Sequence, residues 1–337
     1  RIPRLPTTRN PWNTARTSGG SSAGTAAGVG SGMALAGLGS DGGGSVRVPA
    51  AFCGIVALKP TPGLIPGTGH QPACLGPFSL VGVIGPMARS VRDLTVLLHV
   101  LAGWDGADPC TAPVEAARLP MARSREVWWF DEHPAAPATP ETRAAVRRAV
   151  AALDARGYIV REHRPPWLDD ARRAWDVVFG DAGELLLTEA LGAAARSLPI
   201  LEALHRERGP RPVLTALRLA EAWAARDTLR ARLVAELGGG TLVCPVSAVP
   251  AFGHGERGWS AEGRTVGYLD AMTYTQWANL LGAPAVAGPA GPSDGGLPIG
   301  VQVMGAPFMD AHVLAVAADV EAACRPDVAW PMGDPWA

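Results

Sequence analysis

Two serines in separate glycine-rich loops, 24 residues apart, constrain this chain more tightly than its length does. The first loop is Gly19-Gly20-Ser21-Ser22-Ala23-Gly24; the second is Gly39-Ser40-Asp41-Gly42-Gly43-Gly44-Ser45-Val46-Arg47-Val48-Pro49-Ala50. One helix and one strand fit between them. Glycine is needed where a substrate carbonyl comes close to main chain, and successive glycine N–H groups can point into one concave site. Gly42, Gly43 and Gly44, with Ser45, are therefore expected to form an oxyanion hole. A serine hydroxyl is a weak nucleophile at neutral pH, so Ser45 needs a base, and an amide leaving group needs a proton. A second serine that relays to a neutral lysine would serve both needs. Glycine-serine runs are common in loops, but two at this spacing, flanked by Asp, Arg and Pro, argue against a purely structural origin.

Composition narrows the class. Thirty basic and 31 acidic residues leave a net charge of −1, which implies neither nucleic acid nor an anionic membrane as partner. The five cysteines, Cys53, Cys74, Cys110, Cys244 and Cys324, are odd in number and form no C-x-x-C pair, so a reduced, cytoplasmic protein is expected. The uncharged stretch between Arg16 and Asp41 is full of glycine and serine and lacks large apolar residues, so no membrane span is read there. No histidine lies in an H-x-x-x-H or H-E-x-x-H pair, and no metal is implied. His99 falls in a leucine-rich helix and reads as a hydrogen-bonded structural residue, and the eleven tryptophans read mainly as core.

Along the chain, Ser22 to Ala36 predicts a buried helix of small residues and Leu35 to Leu38 a short buried strand. Ser90 with Asp93 three residues on opens a helix with Val91, Leu94, Leu97, Leu98 and Leu101 on one face, stopped at Gly103. Val127 to Phe130 is a strand. Thr139 and Pro140 start a helix that runs to Gly157, before the strand Tyr158 to Val160. Leu168 to Leu237 predicts several helices and no strand. Strands return at 241–244, 285–287 and 299–304, with helices at 270–281 and 310–323. The strand-helix-strand order predicts an α/β domain with one sheet.

The loops carry a resemblance to the amidase signature family. That family is marked by a GGSSGG loop, a G-[ST]-D-x-G-G-S-[IV]-R-x-P-[AS] loop and a run into G-x-K-P-T. Here these are Gly19 to Gly24, Gly39 to Ala50, and Phe52-Cys53-Gly54-Ile55-Val56-Ala57-Leu58-Lys59-Pro60-Thr61. Gly85 to Leu94 and Gly296-Leu297-Pro298-Ile299-Gly300-Val301-Gln302 are similar to later motifs, so the resemblance runs from about Asn10 to the end, weakest in the middle third. It implies a mixed β-sheet between helical layers in a single domain over 1–337, with a divergent helical substrate-pocket region at about 163–240 and a further pocket loop at 66–79. It implies Ser45 as the acylated nucleophile and Ser21 as the bridging serine, held through a cis peptide. Gly20, Ser22, Asp41 and Arg47 would be supporting residues. The reaction implied is hydrolysis of a small carboxylic amide to acid and ammonia or amine, with no cofactor.

The chain departs from the family pattern at Ala23 and Ala57, where glycines are usual. The larger departure is the catalytic lysine, which the family carries several dozen residues before the first serine loop. The twenty residues before Ser21 contain no lysine, and the chain's single lysine, Lys59, matches the K-P-T motif instead. With no Met before Met33, the chain is expected to be N-terminally truncated, or otherwise unable as it stands to run the relay. A catalytically inactive binding or scaffold subunit is one alternative; the amidotransferase subunit that forms Gln-tRNA or Asn-tRNA is another. Gly20 to Gly24 also fits G-x-S-x-G, with Ser22 as nucleophile and His254 or His312 as base, but a strand should precede such an elbow and residues 10–18 are polar. Gly37 to Gly42 fits G-x-G-x-x-G, without the helix and acidic residue that dinucleotide binding needs. Apolar residues in the helical segment would permit a homodimer.

Overall fold

A computed structural model of the chain describes residues 7–73, 76–122, 124–192, 206–261 and 263–324. One sheet of eight strands organises them: β1 (Ala36–Asp41), β2 (Val56–Lys59), β3 (Val83–Ala88), β4 (Glu126–Trp129), β5 (Ile159–Glu162), β6 (Thr241–Pro245), β9 (Ala285–Pro292) and β10 (Pro298–Gly305). Their spatial order is β1-β3-β2-β9-β10-β6-β4-β5, and a separate hairpin joins β7 (Gly258–Ala261) to β8 (Arg264–Gly267). Pairing is antiparallel from β1 through β6 and parallel at β6/β4 and β4/β5, so the sheet is mixed. The parallel pair β4/β5 brackets the helix α4 (Pro140–Asp154), a strand-helix-strand crossover as the sequence predicts.

The central strands are apolar almost throughout because both faces are covered. Side chains alternate along a strand, so Leu242 and Cys244 of β6 enter one core and Val243 the other; Ala285 and Ala287 of β9 likewise oppose Val286. On the second face lie α3 (Val91–Leu101), α4 and α10 (Asp310–Cys324). The first face holds α2 (Arg47–Cys53), α5 (Leu168–Trp175), α7 (Ala216–Leu237) and α9 (Thr273–Leu280), with α8 (Tyr268–Ala271) leading into α9. Between α5 and α7, a π-helical turn, Asp176–Asp181, passes into α6 (Ala182–Leu191). The sheet thus lies between two helical layers, the first of which supplies the candidate site.

Helix starts follow local chemistry. Ser90 Oγ accepts the Asp93 N–H (3.2 Å), capping α3, and donates to the Asp93 carboxylate (2.7 Å). Ser90→Ala should therefore cost about 1 kcal/mol in urea unfolding. Thr139 caps α4 in the same manner, with Pro140 in its first turn.

Two expectations are corrected near the chain start. The first helix, α1 (Ala23–Gly30), is eight residues long and only Ala26, Val29 and Gly30 are buried; Gly32, at φ +77°, lies just beyond its end. The strand predicted as buried at 35–38 is β1, which begins at Ala36 and lies at the sheet edge beside β3 alone; Leu35, just before it (64 %), and Leu38 (49 %) are exposed. The chain has further elements beyond those predicted: α2, β2, β3 and the hairpin. Among the described residues no helix is long and apolar enough to cross a membrane.

Candidate active site

The second serine loop is wrapped around its own carboxylate. Asp41, the last residue of β1, accepts N–H bonds from Gly44 (2.7 Å) and Val46 (3.3 Å), and the Arg47 Nε and Nη2 atoms each donate to it at 3.0 Å. Arg47 opens α2 and is fully buried; its Nη1 donates to Gln302 Oε1 (2.8 Å) and its Nη2 to the Thr275 carbonyl (3.0 Å) and to Asn279 Oδ1. Asn279 Nδ2 returns to the Asp41 main chain (2.7 Å) and reaches the Val81 carbonyl (3.0 Å). Gln302 Nε2 donates to the carbonyls of Tyr274 (2.7 Å) and Pro245 (3.0 Å). Every charge in this knot is therefore matched, as a buried ion pair requires. Burial alone would raise the Asp41 carboxyl, but the Arg47 guanidinium and the Gly44 N–H hold it well below the usual carboxylate range.

The loop's peptide planes are fixed one by one. Trp175 Nε1 donates to the Gly42 carbonyl (2.8 Å), Thr275 Oγ1 to that of Gly43 (2.7 Å), and the Val48 N–H to that of Gly44 (2.7 Å). In a trans peptide the N–H of the next residue points away from the carbonyl. The N–H direction of Gly43 is thus set from outside the loop by Trp175, and that of Ser45 by the first turn of α2. Gly44 differs: its N–H already has the Asp41 carboxylate as acceptor, which narrows the expected oxyanion hole of Gly42, Gly43 and Gly44.

Glycine is required here for two reasons. A Cβ on Gly43 would stand 2.5 Å from the Trp175 ring and one on Gly42 2.3 Å from Phe179. Gly44 sits at φ +112°, where a side chain is strained, and its Cβ would meet Thr275 Oγ1 at 2.4 Å.

The first serine loop is brought to the second by main chain. The Ser22 N–H donates to the Ser45 carbonyl (3.0 Å), and the Ser22 side chain packs on Gly39 so closely that a Cβ there would be 2.4 Å from its Oγ. The Gly20–Ser21 peptide bond is cis. Asn10, fully buried, ties the approach to this loop through Nδ2 to the carbonyls of Thr17 (3.0 Å) and Phe52 (2.8 Å). Ser21 is exposed and Ser45 half-buried at the start of α2. No strand runs into Ser22, and α10, which carries His312, packs in the core on the other face of the sheet. The strand that such an elbow needs before Ser22 is thus absent among the described residues.

Lys59, fully buried at the end of β2, donates its Nζ to the Pro60 carbonyl (2.8 Å). Burial and Arg47 push its ammonium down to about 7, against the pull of Asp41 and Asp310. It is the lysine of the K-P-T motif and stands at the end of the strand.

Trp175, Phe179, Thr275 and Asn279 were not predicted as site residues. Thr275 and Asn279 stand four apart on α9 and so share a face, and α9 is buried along its whole length. The run of buried polar residues on this helix, Thr273, Thr275, Gln276 and Asn279, is the signal that could have marked Thr275 and Asn279. Among the described residues no group of histidine, cysteine and acidic side chains could hold a metal ion.

A fold of mixed sheet and helical layers carrying two coupled serine loops defines an amidase-type class, and the family model described as Amidase matches residues 2–314: the chain belongs to this family, the amidase signature enzymes. It is 30 % identical over 342 residues to a glutamyl-tRNA(Gln) amidotransferase subunit of Syntrophus aciditrophicus, covering 93 % of this chain and 69 % of that protein. It is 31 % identical over 332 residues to an acylamidase of Rhodococcus erythropolis, covering 94 % and 67 %. Its structure is similar to that of 6-aminohexanoate cyclic dimer hydrolase complexed with substrate, with a TM-score of 0.75 and 28 % identity over 97 % of this chain and 72 % of the other. A bacterial aryl acylamidase aligns at a TM-score of 0.78 and 25 % identity, over 98 % and 71 %.

Proposed function

We propose that the chain hydrolyses a small carboxylic amide through an acyl-enzyme on Ser45. The observation that carries this reading is the Asp41–Arg47 knot, which holds Ser45 beside preset main-chain N–H groups while the Ser22 N–H binds the Ser45 carbonyl. Ser45 Oγ attacks the substrate carbonyl carbon and passes its proton to Ser21. The oxyanion formed is met by main-chain N–H groups of the loop, for which Gly43 and Ser45 are the best-oriented donors. Ser21 then returns the proton to the leaving nitrogen, the C–N bond breaks and the amine departs. Water attacks the ester so formed and releases the acid. Ser21 is proton relay in both halves and requires a neutral base beyond it, the position that a lysine takes in the family pattern. Gly20, Ser22, Asp41 and Arg47 support the loops. Esters should be cleaved as well, since an alkoxide leaves more readily than an amine.

The experiment is labelling with a serine-reactive fluorophosphonate and mass mapping of the adduct, on the 337-residue chain and on a version extended upstream through its reading frame. Labelling of Ser45 in the extended protein is the expected result. An adduct on Ser22, or none in either protein, would overturn the reading in favour of the elbow or of an inactive scaffold role. An amidotransferase subunit is a second reading, favoured by the several relatives of that kind, and stable co-purification with further subunits would select it.

A further inference from the structure

The indole of Trp175 stands between the Gly42–Gly43 peptide and a cavity. One edge of the ring lies against Gly43 and its Nε1 holds the Gly42 carbonyl at 2.8 Å. The residue also lines a cavity of about 750 Å³, bounded by His133, Asp169, Arg172, Asp270 and Gln276 among others, so close packing does not confine it on every side. Phe179 stacks on it, with ring centroids 5.3 Å apart and planes at 23°, and covers Gly42.

What confines the pair is the next stretch of chain. Asp176, directly after Trp175, takes a two-pronged contact from Arg211, whose Nη1 lies 2.9 Å from Oδ1, and a longer one from Arg208 at 3.5 Å. Asp181, at the other end of the π-helical turn, is held by Arg211 Nε and Arg218 Nη1, each at 2.9 Å. Arg208 reaches Glu184 at 3.3 Å. The turn that carries Phe179 is thereby gripped at both ends by arginines from the segment just before α7 and from α7 itself. Such turns, which insert an extra residue into a helix, recur at functional sites because they re-aim side chains.

We propose that Trp175 is a positioning residue that, by fixing the Gly42 carbonyl, aims the Gly43 N–H at the oxyanion that forms from the bound amide, and that the Asp176–Arg211 clamp keeps it there. This rests on the reading of Ser45 as nucleophile. An N–H misdirected by tens of degrees stabilises the oxyanion poorly while the ground-state substrate, whose carbonyl oxygen sits elsewhere, is barely affected. The signature is accordingly a loss in kcat and not in KM.

The test uses protein expressed from the full reading frame. Trp175→Phe keeps a ring against Gly43 and deletes the indole N–H. It should slow phosphonylation of Ser45 by a fluorophosphonate, and kcat on p-nitroacetanilide, by about tenfold or more, with KM within about threefold. Asp176→Asn and Arg211→Lys leave the indole untouched and should lower the same two parameters by a smaller factor; they decide the matter if Trp175→Phe does not fold. Wild-type rates in all soluble variants, or a loss confined to KM, would overturn the proposal. A wild-type protein unlabelled at Ser45 would instead remove the nucleophile reading, and this inference with it.

Discussion

Ser45→Ala should lower amide turnover by on the order of 10⁴-fold or more while leaving the melting temperature within about a degree of wild type. The loop is held by Asp41, Arg47, Trp175 and Thr275, and all of these bonds run to main chain or to one another, not to the Ser45 hydroxyl. Alanine therefore removes the attacking oxygen and leaves the cradle standing. Ser21→Ala is a useful companion: if Ser21 is a relay, it should cost about 10²- to 10⁴-fold, the range of a proton-transfer partner, and leave slow residual acylation. Steady-state rates with an anilide, together with thermal melts, check both. Equal turnover by wild type and Ser45→Ala would end the proposed mechanism.

Arg47→Ala should be the most destabilising single change in the loop, by about 3–5 kcal/mol, because it strands the fully buried Asp41 carboxylate without its ionic partner. The pH dependence gives this prediction a sign. In the wild type Asp41 is held below its unfolded value, so its contribution is present above the ordinary carboxylate range and fades as pH falls through the lowered pKa. Without Arg47, burial dominates and raises the carboxyl, which then takes up a proton on acidification and relieves the penalty. Urea midpoints of wild type and variant should therefore lie far apart near neutral pH and converge as the pH approaches the ordinary carboxylate range, at about pH 4. A gap that is constant with pH would mean that Arg47 acts by packing and not by charge.

Elements with local determinants were legible in the sequence. Helices α3 and α4 were found from Ser90, Thr139, Pro140 and their apolar spacing, since caps and periodicity act within one or two turns. Strands β6, β9 and β10 were found because both faces are buried and the residues are apolar in a run. The edge position of β1 was not, because it is a property of strand order and not of the strand. Nor was α2 found, a short helix that carries Pro49 and starts directly from the glycine loop. In the site, the two serines, Asp41 and Arg47 stood out through their motif. Trp175, Thr275 and Asn279 did not, because a hydrogen bond between groups 133 to 238 residues apart has no local signature. The bond from the Gly44 N–H to Asp41 was not legible either, because a glycine can be named as a donor from sequence but its acceptor cannot.

The buried knot has a consequence for how the protein comes into being on the ribosome. Arg47 meets Gln302 across 255 positions and Asn279 across 232, so the loop that carries Ser45 is synthesised early and has nothing to close upon until α9 and β10 have emerged. Contacts of such long sequence separation form late and slowly, after the loop-closure entropy has been met by other pairings. The nascent chain must therefore carry a buried-type aspartate and arginine in water for most of its translation. Reactivity at Ser45 should switch on only with the arrival of the last strand, which makes it a reporter of completed folding and not of the folding of its own segment.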